Sequence, residues 1–301
     1  MNGASQMPGD RSEVQELRRV FERKRRLGRL GLYATAIGAA VLASFPFLWA
    51  AITMFKQNQD LYVKENNPFW FNLPPTLEHV RLLLGDTHFL VFVRNTVLVG
   101  VAVVTITLVL SLPAAYSLAR LGRRWGERMG IAIFLVYLIP PTLLFIPMSR
   151  VIVTLGLQES LWSLILVYPT ITIPIATWLL MGFFKGIPRD LEEQAMVDGY
   201  SRVGAVTRAV LPLVYPGIVA VVVFAFTLSA HEFIYALAFN KGSAVKTISV
   251  GIPTELIRGD VFFWQALEGA ALLTAVPIAL LFNFFLDRFV EASPSTSAAG
   301  S

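Results

Sequence analysis

The sequence predicts an all-α polytopic membrane protein: six spans, both chain ends inside, and a folded polar loop between the fourth and fifth spans. Three observations carry this. Of 301 residues, 55% are hydrophobic and 15% charged, against about 25% charged in a soluble domain. The charges are clustered, leaving six apolar runs near the roughly 20 residues that a hydrocarbon core requires. The runs are continuous rather than alternating, which favours helices over a barrel.

The first run, Leu30–Phe55, follows a basic tail, residues 1–29, containing RRVFERKRRLGR. It is longer than a signal-peptide core and has no small-residue cleavage site after it, so it reads as a retained span. The tail reads as a topology anchor with helical character, and a lipid-binding arm or partner contact is the other reading. The outer segment after the first span contains NNPFWFNLPPTLEHVRLLL. Its prolines break it, TLEHVRLLL suits a short helix, and Phe69, Trp70 and Phe71 suit an interfacial belt. The remaining spans are expected at Leu90–Ala119, Gly130–Ser149, Leu161–Phe184, Gly217–Phe239 and Ala266–Phe289. The small polar run at 292–301 has nothing to bury and is expected to be disordered. The six spans and their loops then form one domain over residues 30–291.

Orientation follows from the basic residues. With the N-terminus inside, 17 of the 25 lysines and arginines fall in inner segments, as the positive-inside bias requires. The net charge of +5 is therefore a topology signal and not a nucleic-acid footprint. Prolines 46, 113, 140, 141, 147, 169, 174 and 277 lie inside the spans. Each removes a helix hydrogen bond and favours a kink, which suits helices lining a pathway.

The stretch Lys185–Pro216 is too long for a simple connection. Pro188 suits the first helical position, and Asp190, Glu192 and Glu193 then sit near the positive end of the helix dipole. Leu191, Ala195 and Met196 make a narrow apolar stripe, and Gly199 is a stop signal. Ser201 can cap a second helix reaching Val210, ended by Leu211-Pro212. The expected result is a helix–Gly–helix elbow at the inner membrane face.

Glu193-Gln194-Ala195, three residues, Gly199, and then Leu211-Pro212 resembles the EAA loop of ABC-importer permeases. Glu193, Ala195, Asp198, Gly199, Leu211 and Pro212 match that pattern; Gln194 stands where its first alanine is expected and Ala209 where its isoleucine is. Glu232-Phe-Ile-Tyr-Ala-Leu237 resembles a fifth-span segment of carbohydrate permeases related to the second permease of the maltose transporter, with Ala230-His231 in place of Trp-Asn. Arg94-Asn95-Thr96 at the start of span two is also similar. The likeness extends from about residue 30 to 291.

The resemblance implies that the elbow is a coupling helix resting on a cytoplasmic ATP-binding subunit dimer. Glu193 and Gly199 would be the centre of that contact, with Glu192, Gln194, Ala195, Asp198 and Tyr200 around them. It also implies a second permease, an extracytoplasmic solute-binding protein, and a bacterial or archaeal cytoplasmic membrane. The chain carries no G-x-x-x-x-G-K-[ST] loop, so ATP and Mg are expected in the partner and no cofactor in this chain.

His231, Glu232, Tyr235 and Glu268 are ionisable or polar groups at expected membrane depth and are candidates for a substrate pathway; interhelical packing is the other reading. His231 and Glu232 point about 100° apart on a helix, so a joint proton relay does not follow from their adjacency. No metal, phosphate or Ser/His/Asp constellation has workable spacing, and the absence of cysteine excludes thiol chemistry. The expectation is a transport subunit rather than an enzyme, importing a sugar or oligosaccharide. An importer of another solute, such as glycerol phosphate or an amino acid, and a proton-coupled carrier are the alternatives.

Overall fold

The computed structural model describes the backbone of residues 11–291; the expected tail at 292–301 and the first ten residues lie outside them. The order is α1 (Arg11–Met54), α2 (Asn58–Tyr62), α3 (Glu78–Gly85) and α4 (Phe89–Tyr116), the last continuing through a π-type turn at Ser117–Leu121. Then come α5 (Arg123–Tyr137), α6 (Pro141–Thr154), α7 (Leu161–Val167), α8 (Pro169–Gly186), α9 (Asp190–Val197) and α10 (Arg202–Ala205). A second π-type turn, Val206–Val210, leads into α11 (Leu211–His231), followed by α12 (Ile234–Phe239) and α13 (Ile248–Leu256). A two-residue antiparallel hairpin, β1 (Ile257–Arg258) and β2 (Val261–Phe262), precedes α14 (Trp264–Glu291). That hairpin is a small departure from the all-α expectation. Gly259 turns it with a φ of 62°.

Among the described residues, four helical stretches are long and apolar enough to cross a membrane: Lys24–Met54, Phe89–Leu121, Leu161–Gly186 and Arg202–His231. The expected third span, Gly130–Ser149, is not one helix. It is the pair α5 and α6, bent by 86°. The cause is Pro140-Pro141. The second ring bars the helical conformation at Pro140, which takes φ −55° and ψ 129°. Pro46, Pro113, Pro147, Pro174 and Pro277 instead sit inside helices that continue past them. The expected sixth span, α14, is apolar over Trp264–Leu280, a stretch shorter than those four.

The fifth expected span is shifted towards the N-terminus. It starts in the elbow and ends at His231, and Ile234–Phe239 is a separate short helix. Leu211-Pro212 therefore does not end the second elbow helix. The wide turn before it, with the Leu211 N–H bonded to the Val206 carbonyl, absorbs the missing proline donors, so the chain runs on as a single helix.

The centre of the bundle is α4 packed against α8 and α11. Small residues allow the close approach: a Cβ at Gly100 would lie 2.7 Å from the Phe226 ring, and one at Gly217 2.6 Å from Phe183. Thr107 and Thr172 share a buried hydrogen bond of 2.6 Å between α4 and α8. One apolar cluster, including Leu180, Phe184, Val210 and Val214, fills the elbow end of the bundle. A second, including Ile152, Tyr168, Tyr235 and Phe239, fills the region of the helix breaks. The segment after α1 forms α3 as expected, and Lys56 fastens it. The buried Lys56 Nζ donates to the carbonyls of Asn67 (3.0 Å) and Pro68 (3.3 Å).

Candidate functional site

The elbow begins where α8 ends at Gly186, and α9 starts at Asp190, two residues after Pro188. Asp190, Glu192 and Glu193 occupy the first turn of α9, where the exposed N–H groups favour negative charge. The helix ends in a Schellman motif: Tyr200 N–H donates to the Ala195 carbonyl (3.1 Å) and Gly199 N–H to that of Met196 (3.1 Å). Gly199 carries the φ of +92° that this closure needs. Ser201 then caps α10, its Oγ accepting from the Gly204 N–H at 3.2 Å. The Arg208 guanidinium lies 4.9 Å from the Tyr200 ring centroid. The elbow is thus a rigid corner defined by local hydrogen bonds.

Its residues divide between two sides. Ala195 is buried and Met196 half-buried, while Leu191, expected in the same apolar stripe, is more than a third exposed. Glu193, Gln194, Asp198, Gly199 and Tyr200 face outward. Asp190, Glu193, Gln194, Val197 and Asp198 line a shallow hollow of about 260 Å³. Beside it, Val197 is 86% exposed and Val203 72% exposed, so the outer surface combines carboxylates with bare aliphatic side chains. A Cβ on Gly199 would meet no atom of this chain within 4 Å.

Glu192 is placed differently from its neighbours. It is buried, and its Oε1 accepts from the Tyr116 hydroxyl at 2.5 Å. Arg120 stands on the same side, with Nε 3.9 Å from Glu192 Oε2 and Nη2 donating to the Ile187 carbonyl at 2.8 Å. Sequence reasoning does not single out Tyr116 and Arg120, because they lie some seventy residues before the elbow. Their i, i+4 spacing at the end of a span is the signal that could have found them.

Two of the other candidates, Glu232 and Tyr235, meet where three helices break. Glu232 follows the end of α11, and its carboxylate accepts the N–H groups of Ile234 (2.9 Å), Tyr235 (3.1 Å) and Ala236 (3.2 Å). It thereby caps α12. Its Oε2 also accepts from the Tyr168 hydroxyl at 3.0 Å, just before α8. Tyr235 is buried and donates to the Pro141 carbonyl (2.7 Å), at the start of α6. Glu232 and Tyr235 therefore join the breaks at Pro140-Pro141, Tyr168-Pro169 and Glu232-Phe233. This gives both side chains a structural role beside any part in a pathway.

His231 is exposed and does not join that network. It lines a largely apolar cavity of about 900 Å³ between α1, α11, α13 and α14, with Ser249, Thr274 and Asn283 among the polar lining groups. Glu268 is half-buried on α14 and does not line that cavity. The four pathway candidates are thus not brought into one site. The Arg94-Asn95-Thr96 segment ties α4 to the chain around α13. The Asn95 amide donates to the carbonyls of Ala244 and Lys246 (both 2.9 Å), and Thr96 Oγ1 accepts the Ile248 N–H (2.9 Å).

Comparison with known proteins agrees with this architecture. The chain is 35% identical over 248 residues to the sulfoquinovosyl glycerol transport system permease protein SmoH of Agrobacterium fabrum, covering 82% of this chain and 86% of that one. It is 30% identical to the diacetylchitobiose uptake system permease protein DasC of Streptomyces coelicolor, covering 91% and 98%. It is 29% identical to the trehalose/maltose transport system permease protein MalG of Thermococcus litoralis, with the same coverage. A chain from the crystal structure of a bacterial ABC transporter involved in alginate import superposes with a TM-score of 0.72, covering 88% of this chain and 97% of that chain. At 15% identity that likeness establishes the fold. The family model for the inner membrane component of binding-protein-dependent transport systems matches residues 107–294. That match spans the elbow, its capping glycine and the helices α8 and α11 on either side, so the chain belongs to the family of binding-protein-dependent transport system inner membrane components.

Proposed function

We propose that this chain is the permease subunit of an ATP-driven, binding-protein-dependent importer of a sugar or oligosaccharide. The observation that carries the mechanism is the elbow: a rigid, locally capped corner whose outer face, around Glu193, Val197 and Gly199, stands clear of its own bundle. A short helix with fixed ends transmits a displacement that a loose connection would absorb. Each end of the elbow continues into a helix of the central bundle, α8 on one side and α11 on the other. Movement of a partner seated on the outer face would therefore tilt both.

Six spans with both ends in the cytoplasm place that face towards an ATP-binding subunit dimer, which holds ATP and Mg. A second permease completes the membrane part, and a solute-binding protein delivers the cargo from outside. A bacterial or archaeal cytoplasmic membrane is the setting. The cargo class is supported by the names of the relatives, which refer to sulfoquinovosyl glycerol, diacetylchitobiose and trehalose or maltose.

Gly199→Trp tests this reading in the complete complex. The left-handed backbone at Gly199 makes any side chain cost about 1–2 kcal/mol, so Gly199→Ala reports the strain alone. Gly199→Trp adds bulk at a position whose Cβ would meet no atom of this chain within 4 Å. The expected outcome is normal assembly with solute uptake per ATP reduced about ten-fold, and a much smaller change for Gly199→Ala. Wild-type uptake by an assembled Gly199→Trp complex would refute the coupling role.

A further inference from the structure

The buried side of the elbow differs in purpose from its outer face. Two connections leave the elbow along the chain, to α8 and α11. Tyr116 and Arg120 make a third, by side chains only, to the inner end of α4. Tyr116 reaches Glu192 within α9, while Arg120 reaches the Ile187 carbonyl at the beginning of the elbow. Both groups come from one face at the end of α4 and its π-type turn, where the Gly122 N–H bonds to the Ser117 carbonyl. Such turns occur often at functional positions.

Burying a carboxylate and a guanidinium is unfavourable in itself, and well-packed apolar side chains would hold the same surfaces together. What a short, charge-assisted hydrogen bond adds is a fixed distance and direction. The ring of Tyr116 is itself held, edge to face with Phe184 of α8 at 5.7 Å.

The arrangement also has slack. The Arg120 and Glu192 side chains are 5% and 8% exposed, yet Arg120 Nε is buried without a hydrogen-bond partner and stands 3.9 Å from Glu192 Oε2. A charge-assisted bond would need roughly 2.7–2.9 Å. A cavity of about 90 Å³, lined by Arg120, Glu192, Met196 and Arg202 among others, lies alongside. A shift of the elbow by about 1 Å would turn this loose ion pair into a hydrogen-bonded one.

We propose that Tyr116, Arg120 and Glu192 form a buried latch that carries displacement of the elbow into α4, and that the latch tightens when the elbow is pushed. Glu192 is then a positioning residue for the coupling helix rather than part of its outer contact. The inference rests on the coupling role proposed above.

The test uses the complete transporter, with its ATP-binding subunit, second permease and binding protein, in proteoliposomes. Solute transported per ATP hydrolysed is compared for Tyr116→Phe, Glu192→Gln and the double variant. The expected result is normal recovery of the ATP-binding subunit with a ratio lowered about five-fold or more. Glu192→Gln removes the charge that Arg120 faces and Tyr116→Phe removes the hydroxyl donor, so the double variant should lose less than the sum of the two, because both act on one network. A merely structural latch would lower recovery or thermal stability and leave the ratio alone. An unchanged ratio, or fully additive losses, would overturn the proposal. Should Glu192→Gln fail to assemble, Tyr116→Phe decides alone, since it keeps the ring packed on Phe184. Gly199→Trp runs in parallel: if it uncouples and the latch variants do not, only the latch falls. If it too leaves the ratio unchanged, the coupling reading itself falls.

Discussion

At the scale of single residues, the legible positions are those whose role depends on their chain neighbours. Gly199 announces a helix end and Ser201 a helix start, because both signals are satisfied within a few residues by the backbone. Glu192 shows the opposite case. Its sequence context equals that of Glu193, yet one carboxylate is buried against α4 and the other is exposed. The 100° step between successive helical residues separates them, and only the position of Tyr116 decides which one turns inward. His79 is likewise illegible from its neighbours. It is buried on α3 with Nε2 unpartnered, and burial pushes its pKa below the ordinary value of 6.5, outweighing the opposing pull of Glu78. On acidification the unfolded imidazole takes up a proton before the folded one. The stability linked to His79 is therefore complete above pH 6.5 and declines as the pH falls below it. The melting temperature should be lower at about pH 5.5 than at about pH 7.5, and His79→Leu should flatten that difference. An unchanged slope in the variant would remove His79 as the cause.

At the scale of elements, the helices themselves follow from apolar length and proline placement. Their breaks do not follow from proline alone. Among the described residues, seven prolines lie within helices that continue, whereas Pro140-Pro141 bends one pair by 86°. The break after His231 has no proline at all and is held by Glu232 receiving three N–H groups of α12. A span reading based on hydropathy runs straight through it, since both sides are apolar and one carboxylate is a weak interruption. Glu232→Ala should release those donors and cost about 1–2 kcal/mol. Glu232→Gln keeps an acceptor and should recover part of that loss. Thermal unfolding of the purified complex measures both; equal melting temperatures for Glu232→Ala and wild type would show that the cap contributes nothing.

At the scale of the whole molecule, the prediction concerns orientation. The absence of cysteine makes the native chain a clean background for single-cysteine labelling. With an impermeant maleimide, Trp70→Cys should react in intact cells and Val197→Cys only after the inner face is opened. Both positions are exposed on the isolated chain, and the reverse pattern would invert the proposed topology. What the sequence determined alone was the membrane class, the approximate span count and the elbow with its glycine corner. These rest on composition, on charge distribution and on hydrogen bonds between near neighbours. What only the tertiary structure decided was the sharp fold in the third span, the early end of the fifth, the separation of His231 from Glu232, and the inward turn of Glu192. Each of these depends on groups such as Tyr116, Tyr168 and Pro141, which are distant in the chain and are brought within reach by helix packing.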